Sequence, residues 1–590
     1  MRVECPHADR CAGCPAIDEG YTVQLEQKGA RVDRALARFE ALAPVARASV
    51  VGAPTIEGYR TRAKLVVKGR AIGLYAKDGD HVVVDLPGCR VLPPRLAELA
   101  DALRERLAGD EALRRALLAV DLREVATDAG DAAMLTLVLD DARPFDARDV
   151  ASALRDERPW LRTVATSRRA RRSPQVLGGG LRVVAGAPSV DERVEAPGGG
   201  VVHVPAVPGG FVQAHRAQAA RLRARLVELA REGGVAIEGA KVIDAYAGSG
   251  ALGLGLAAAG ARVVAIESHA PSIERAVEAA ARQGLAFEGI AGDVGEVLTR
   301  GGGWGSVDLV VLNPPRRGVA PAVRRGVAAL RPTRVAYVSC DPDTLARDLD
   351  HLARLGWAAT RLEPFDLIPL SREVETLALL APAPPTPLSV VHRAPDAVVV
   401  VKAAHEPTTP HPEQPTSLLA RVRAELDGFA EATAVHRLDE GTSGLVIVAR
   451  TPADVAGWSD ALAGGEKTYT ALVRGITRQK GVIRRPLVID GAEVPAVTRY
   501  RRVAVVGGHS LLAVRPETGR THQIRRHLAS LGHPVLGDAR YGHAPSNRHL
   551  QERATLDRTF LHCARLRVGA LNVEAELPGE LRLVLDRLAG

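Results

Sequence analysis

The pattern of apolar and polar positions changes character along the chain, and those changes mark its organisation. From about residue 205 to residue 380, short apolar runs alternate with longer mixed stretches. That predicts strand, turn and helix in repetition, the signature of an α/β sheet. Candidate strands are Lys241-Val242-Ile243, 262–266, 308–312 and 335–338, each running into polar or glycine-rich turn residues. Before residue 205 the reading is a mixed, largely β domain, with a strand at 134–139 and a glycine turn at 178–180. Around Arg60, Arg62 and Lys64, charged and smaller residues alternate. On a strand, these three side chains share one face, which suits a phosphate backbone or simply solvent. After residue 389 the β-branched run 397–401 predicts a strand ending at Lys402, and another apolar strand follows Leu445.

Between these regions lies Ala381-Pro382-Ala383-Pro384-Pro385-Thr386-Pro387-Leu388. Half of it is proline and none of it is charged, so it predicts a semi-rigid linker of roughly 3 Å per residue. A chain of 590 residues is too long for one core. The expected division is 1–204, 205–380, a linker at 381–388, and 389–590.

Composition adds little: 46% hydrophobic and 25% charged residues are ordinary for a globular protein. No apolar run follows Met1, and the longest apolar stretch, 251–261, is too short to span a bilayer. The expectation is a cytoplasmic protein with no membrane partner. The net charge is +9, and 389–590 holds 27 Lys plus Arg against 21 Asp plus Glu. That excess suits a polyanionic partner, and equally the arginine usage of a GC-rich genome.

Chemistry enters through four groups of residues. Cys5, Cys11 and Cys14 form C-x5-C-x2-C, and Cys89 offers a fourth thiolate. Four soft ligands fit zinc or an iron–sulfur cluster, and spacing does not separate the two. The strand at 241–243 leads into Asp244-Ala245-Tyr246-Ala247-Gly248-Ser249-Gly250, and the next strand ends at Glu267. A glycine loop followed by an acid describes a nucleotide-cofactor site. Asn313-Pro314-Pro315-Arg316-Arg317-Gly318 and Ser339-Cys340-Asp341-Pro342 each follow an apolar strand, at the edge where open α/β sheets hold ligands. Near the end of this region stands Ser371-Arg372-Glu373-Val374-Glu375.

Together with Tyr59-Arg60-Thr61-Arg62-Ala63-Lys64 and Phe211-Val212-Gln213, these segments resemble the RNA uracil-5-methyltransferase family over residues 1 to about 382. The resemblance implies a Rossmann-like domain using S-adenosyl-L-methionine. Cys340 would be the nucleophile adding to carbon 6 of uracil, and Glu375 the base removing the carbon 5 proton. Gln213, Tyr246, Glu267 and Asn313 match cofactor-binding positions. Cys5, Cys11, Cys14 and Cys89 match the ligands of a [4Fe–4S] cluster. Asn313, together with the cysteines, is most similar to the enzymes that methylate nucleotide 747 of 23S rRNA. His215 and Glu373 depart from the family pattern, which bears on substrate details.

The last third carries a different resemblance. Val435-His436-Arg437-Leu438-Asp439-Glu440-Gly441, Lys467-Thr468-Tyr469, Gly519-Arg520-Thr521-His522-Gln523-Ile524-Arg525 and Gly532-His533-Pro534 are similar, in sequence and order, to the RluA-type pseudouridine synthases. That implies a mixed-sheet domain with Asp439 as the catalytic carboxylate and Tyr469 against the base, working without a cofactor. Arg437 would fill the gap left by the flipped nucleotide or pair with Asp439. Arg520 and Arg525 would fix the fold and phosphate, and Cys563 would pack in the core. The short form of this family includes enzymes acting at nucleotide 746 of 23S rRNA. The expectation is one chain that modifies neighbouring uridines in RNA and needs no protein partner. The alternatives are tRNA as substrate, or one half serving as an RNA-binding module.

Overall fold

The computed structural model describes residues 2–77, 82–173, 175–300, 303–410, 417–489 and 491–589. The chain divides into two compact units, Met1–Pro384 and Pro385–Gly590.

The first unit contains two seven-stranded sheets. One runs, edge to edge, through Val83–Asp85, Ala71–Tyr75, Arg62–Lys68, Leu117–Thr127, Gly130–Asp140, Leu161–Arg169 and Gly179–Gly186. Its pairs are antiparallel except Gly130–Asp140 with Leu161–Arg169, which are parallel and joined by the helix Arg148–Glu157. The helices Pro94–Gly109 and Arg148–Glu157 bury Leu96, Leu99, Leu103 and Leu154 against one sheet face.

The second sheet runs through Phe287–Ala291, Arg262–Glu267, Lys241–Ala245, Leu309–Leu312, Arg334–Ser339, Glu375–Pro382 and Trp357–Phe365. The first five are parallel and the last two antiparallel. Both faces are covered, which is why these strands read as continuous apolar runs. The strand order reverses between Lys241–Ala245 and Leu309–Leu312, the place where such sheets open a crevice at their carboxyl edge.

Two sequence expectations need correction. Residues 1–204 do not form one body apart from 205–380. The helix Tyr21–Leu36 and the turn after it insert Val32, Ala35, Phe39 and Leu42 into the core of the second sheet, beside Val335 and Tyr337. The helix has an apolar stripe, and the second sheet is the surface it buries that stripe against. Nor is 381–388 free linker. Ala381 and Pro382 close the last strand opposite Ala358 and Trp357, and the Ala383 N–H donates to the Gly356 carbonyl. On the other side Arg421 donates to the Thr386 carbonyl, and Leu388 packs on the second core. Proline is tolerated there because the strand is ending.

The second unit is built on one mixed sheet. It runs through Val390–Arg393, Ala397–Lys402, Ser443–Ala449, Leu561–Val568, Glu466–Val473, His509–Pro516, Thr498–Val506 and Lys480–Ile483. One face carries the main core, including Val399, Ile447, Tyr469 and Leu512. On the other, Leu472 and Leu511 meet the helices Ala544–Ala554 and Gly579–Ala589. Gly444, at φ +117°, is required here: a Cβ would collide with the Cys563 backbone on the neighbouring strand. No helix among the described residues is long and apolar enough to cross a membrane.

Candidate active sites

Four of the sequence-predicted residues lie along one edge of the second sheet of the first unit. Tyr246 follows Lys241–Ala245, Glu267 ends Arg262–Glu267, Asn313 follows Leu309–Leu312, and Cys340 follows Arg334–Ser339. Tyr246 takes a left-handed backbone, φ +64°, at the start of the glycine loop. Glu267 accepts the Gly248 N–H at 3.0 Å and the His269 N–H at 2.8 Å, so it braces the loop from the adjacent strand. Open space lies where a Gly248 Cβ would stand. Asp244 is fully buried, accepts the Gly253 N–H at 2.9 Å, and leaves its Oδ1 without a partner. Burial pushes its carboxyl up to about 7. Gln213 lies on a separate segment, where its carbonyl accepts from the Thr61 hydroxyl.

Cys340 and Glu375 come from adjacent strands. Ser339 pairs with Thr376 at the end of the antiparallel ladder, Cys340 and Glu375 are the next residues along each chain, and the Glu375 charge is felt at the Cys340 thiol. Cys340 is held just before the helix Pro342–Arg354, which Asp341 caps by accepting the Thr344 N–H. Burial, and then the Glu375 charge, push the Cys340 thiol up to about 12; Arg316 works against both. Burial likewise raises Glu375 to about 7, with Arg316 pulling it down and Glu373 pushing it up. Glu373 is itself paired with Arg316 at 3.2 Å and Arg31 at 3.7 Å. Arg316 belonged to a recognised motif, but its effect on both groups was not legible from sequence.

A buried node fixes the loop before this site. Asp348, wholly buried, accepts the Tyr337 hydroxyl at 2.7 Å, the Val319 N–H at 2.8 Å and Arg324 at 2.6 Å. It ties 313–319 to the helix after Cys340.

Arg62 and Lys64 share the less buried face of Arg62–Lys68, as the alternation predicts, but Arg62 is not free for phosphate. Arg62 makes a two-pronged pair with Asp121 at 2.5 and 2.9 Å and donates to the Gly209 and Gly210 carbonyls. It is a structural arginine, because the facing strand supplies a carboxylate. Lys64 is exposed.

Cys5, Cys11, Cys14 and Cys89 are free and line one cavity with Ala8, Ile17 and Leu86. Burial, and then the neighbouring cysteines, push the Cys14 thiol up to about 12. Four thiols around one apolar cavity fit a thiolate-held group in donor chemistry. Among the described residues, however, no cluster of His, Cys, Asp or Glu has the geometry to hold a metal ion.

In the second unit, Asp439 lies on the loop before Ser443–Ala449. Its Oδ2 accepts from Arg525 at 2.7 Å, and His522 Nε2 is 3.7 Å from Oδ1. Arg525 also forks onto buried Asp538 at 2.7 and 2.8 Å. Arg525, expected to fix the fold and phosphate, thus holds the predicted carboxylate directly. Arg437, the other expected partner, is exposed, as is Arg520. Tyr469 is buried on Glu466–Val473 opposite Cys563. Burial, and then Cys563, raise the Tyr469 phenol well above its ordinary value. Cys563 is wholly buried.

With the geometry in view, comparison with known proteins defines the class. Residues 396–530 match the RNA pseudouridylate synthase family. An uncharacterised RNA methyltransferase of Thermosynechococcus vestitus is 30% identical over 398 residues, covering 64% of this chain and 84% of the relative. One of Gloeobacter violaceus is 33% identical over 395 residues, covering 64% and 82%. The solved Pyrococcus abyssi tRNA (uracil-54, C5)-methyltransferase, in complex with S-adenosyl-L-homocysteine, shares the fold. It has a TM-score of 0.50 and 24% identity, covering 63% of this chain and 86% of that one. The chain belongs to this RNA methyltransferase family and continues into an RNA pseudouridine synthase: a fusion of two RNA-modifying enzymes.

Proposed function

We propose that the first unit methylates carbon 5 of a uridine and the second converts a neighbouring uridine to pseudouridine, both in one 23S rRNA hairpin loop, at nucleotides 747 and 746. The observation that carries the methyltransferase reading is that Cys340 and Glu375 adjoin the last rung, Ser339–Thr376, of two neighbouring strands, a thiol and a carboxyl raised to about 7 on the edge where α/β sheets bind ligands.

Cys340 adds to carbon 6 of uracil and makes carbon 5 nucleophilic. S-adenosyl-L-methionine, when bound, supplies an electrophilic methyl; Gln213, Tyr246, Glu267 and Asn313 would hold it. Glu375 then takes the carbon 5 proton, and the thiolate leaves. In the second unit, Asp439, held in place by Arg525, acts at the ribose to release the base, and Tyr469 packs against uracil. In this reading the four cysteines would hold a [4Fe–4S] cluster, supported by the donor chemistry of four free thiols on one cavity, and their thiols would have to close in from the positions they take here.

The test is a strain lacking the protein, complemented by Cys340→Ala or Asp439→Ala. Mass spectrometry of rRNA should show loss of 5-methyluridine alone with the first and of pseudouridine alone with the second. Unchanged rRNA with the missing marks in tRNA would refute the substrate. Methylation by Cys340→Ala at the native rate would refute the nucleophile.

A further inference from the structure

The cysteine pocket is far in sequence from Cys340, but one segment joins it to Glu375. That segment is 366–373, between the strand Trp357–Phe365 and the strand that Glu375 begins. At its centre Leu370 is buried against Val3, Ile17, Tyr59 and Val91, in the cluster that Cys5, Cys14 and Cys89 flank. Its backbone is left-handed, φ +63°. A leucine holds that strained conformation only where its surroundings over-determine it.

The surroundings are specific. The Ala16 N–H, two residues after Cys14, donates to the Leu370 carbonyl at 3.1 Å. The Leu370 N–H donates to Gln24 Oε1 at 3.0 Å, and Gln24 Nε2 returns to the Ala16 carbonyl at 3.0 Å. Three residues thus form a closed ring. On one side, Lys28 bonds Asp366 Oδ1 at 2.5 Å and the Ile368 carbonyl at 3.0 Å, while Tyr59 bonds the Pro369 carbonyl. On the other, Arg31 bonds the Arg372 carbonyl at 2.9 Å. These hydrogen-bonding anchors lie within residues 16–59, Arg316 pairs with Glu373 from the other side, and the segment they hold ends two residues before Glu375.

We infer that the cysteine pocket and Gln24 position Glu375 through Leu370, and so govern the last step of methyl transfer rather than the first. In that step the carbon 5–hydrogen bond breaks and the proton passes to the Glu375 carboxylate. The electron pair closes the carbon 5–carbon 6 double bond, and the carbon 6–sulfur bond breaks with its pair returning to Cys340. Thiolate addition and methyl transfer precede it and do not use Glu375. Displacement of a base by about 1 Å costs on the order of a hundredfold in rate. A loosened Leu370 therefore leaves enzyme stalled as a methylated covalent adduct with RNA. Leu370 and Gln24 are positioning residues in this account, which rests on the roles proposed above for Cys340 and Glu375.

The experiment compares Gln24→Met, Leu370→Gly, Cys14→Ser and Glu375→Gln in the full chain, with RNA carrying tritium at uridine carbon 5. Gln24→Met removes the ring's amide at similar size, and Leu370→Gly relaxes the strained backbone. Denaturing gels read the adduct, tritium release reads the proton step, and S-adenosyl-L-homocysteine titration checks that the cofactor fold is intact. Expected are unchanged cofactor affinity, methylated adduct in all four variants, and tritium release slowed about a hundredfold. If Glu375→Gln traps adduct but Gln24→Met and Leu370→Gly do not, the inference is overturned and the base assignment stands. If Glu375→Gln itself traps none, the base assignment fails and the inference with it.

Discussion

Single charges decide much of what these sites do, and their partners are what the sequence conceals. Arg62 and Arg525 both stand in recognisable strings, yet one is consumed by Asp121 and the other holds Asp439. No local pattern separates them, because the carboxylates come from distant strands and loops. Cys340, Glu375 and Asp439, by contrast, were legible as motif residues. Three predictions belong at this scale. As the proposed base, Glu375 would act only when ionised, and its carboxyl is raised to about 7. Proton release from uridine carbon 5 should therefore fall as pH drops below about 7. Arg316 pulls that carboxyl down, so Arg316→Gln should move the acid limb of the pH–rate profile upward; a downward move would refute the coupling. Arg525→Met should strand buried Asp538 and free Asp439. Breaking a buried ion pair costs roughly 3–5 kcal/mol, so the second unit's melting temperature should drop and pseudouridine formation should collapse, with methylation unchanged.

Elements were legible where their pattern is self-contained. The parallel strands of the second sheet are continuous apolar runs bounded by turns, and they appear where periodicity puts them. The helix Tyr21–Leu36 has an apolar stripe too, but a stripe does not say which surface it will meet. It meets the sheet formed some two hundred residues later, so a boundary drawn at 204 cuts through a shared core. The same limit applies to Ala397–Lys402, whose last residue turned out to organise a loop. Lys402 is wholly buried and donates to the carbonyls of Ala403, Glu406 and Glu440, the last beside Asp439. Lys402→Met should take the ammonium from the Ala403 and Glu406 carbonyls, at roughly 1–3 kcal/mol each, while the Glu440 carbonyl keeps the His405 N–H. Thermal unfolding should show the loss in the second unit alone; an unchanged melt would mean that water replaces the ammonium.

At the scale of the whole molecule, the proline-rich stretch was visible at once, but its use was not. Proline content predicts stiffness, whereas hydrogen bonds at Ala383 and Thr386 decide how much of it belongs to each fold. Cutting the chain between Pro384 and Pro385 should therefore release two fragments that each fold and each keep one activity. Joined, each active site raises the effective concentration of the other on the same RNA. At limiting enzyme, the intact chain should yield more doubly modified RNA than equimolar fragments. Equal yields at every concentration would mean that the join contributes nothing to catalysis.

Each unit completes its own sheets, with the division falling between two adjacent prolines. Joining them in this way fixes a ratio. Every translation event delivers one methylating and one isomerising centre, so neither mark on the RNA can outrun the other through unequal expression. Gene dosage, promoter strength and message decay act on both alike. A cell that separated the two coding regions would have to restore that parity by regulation.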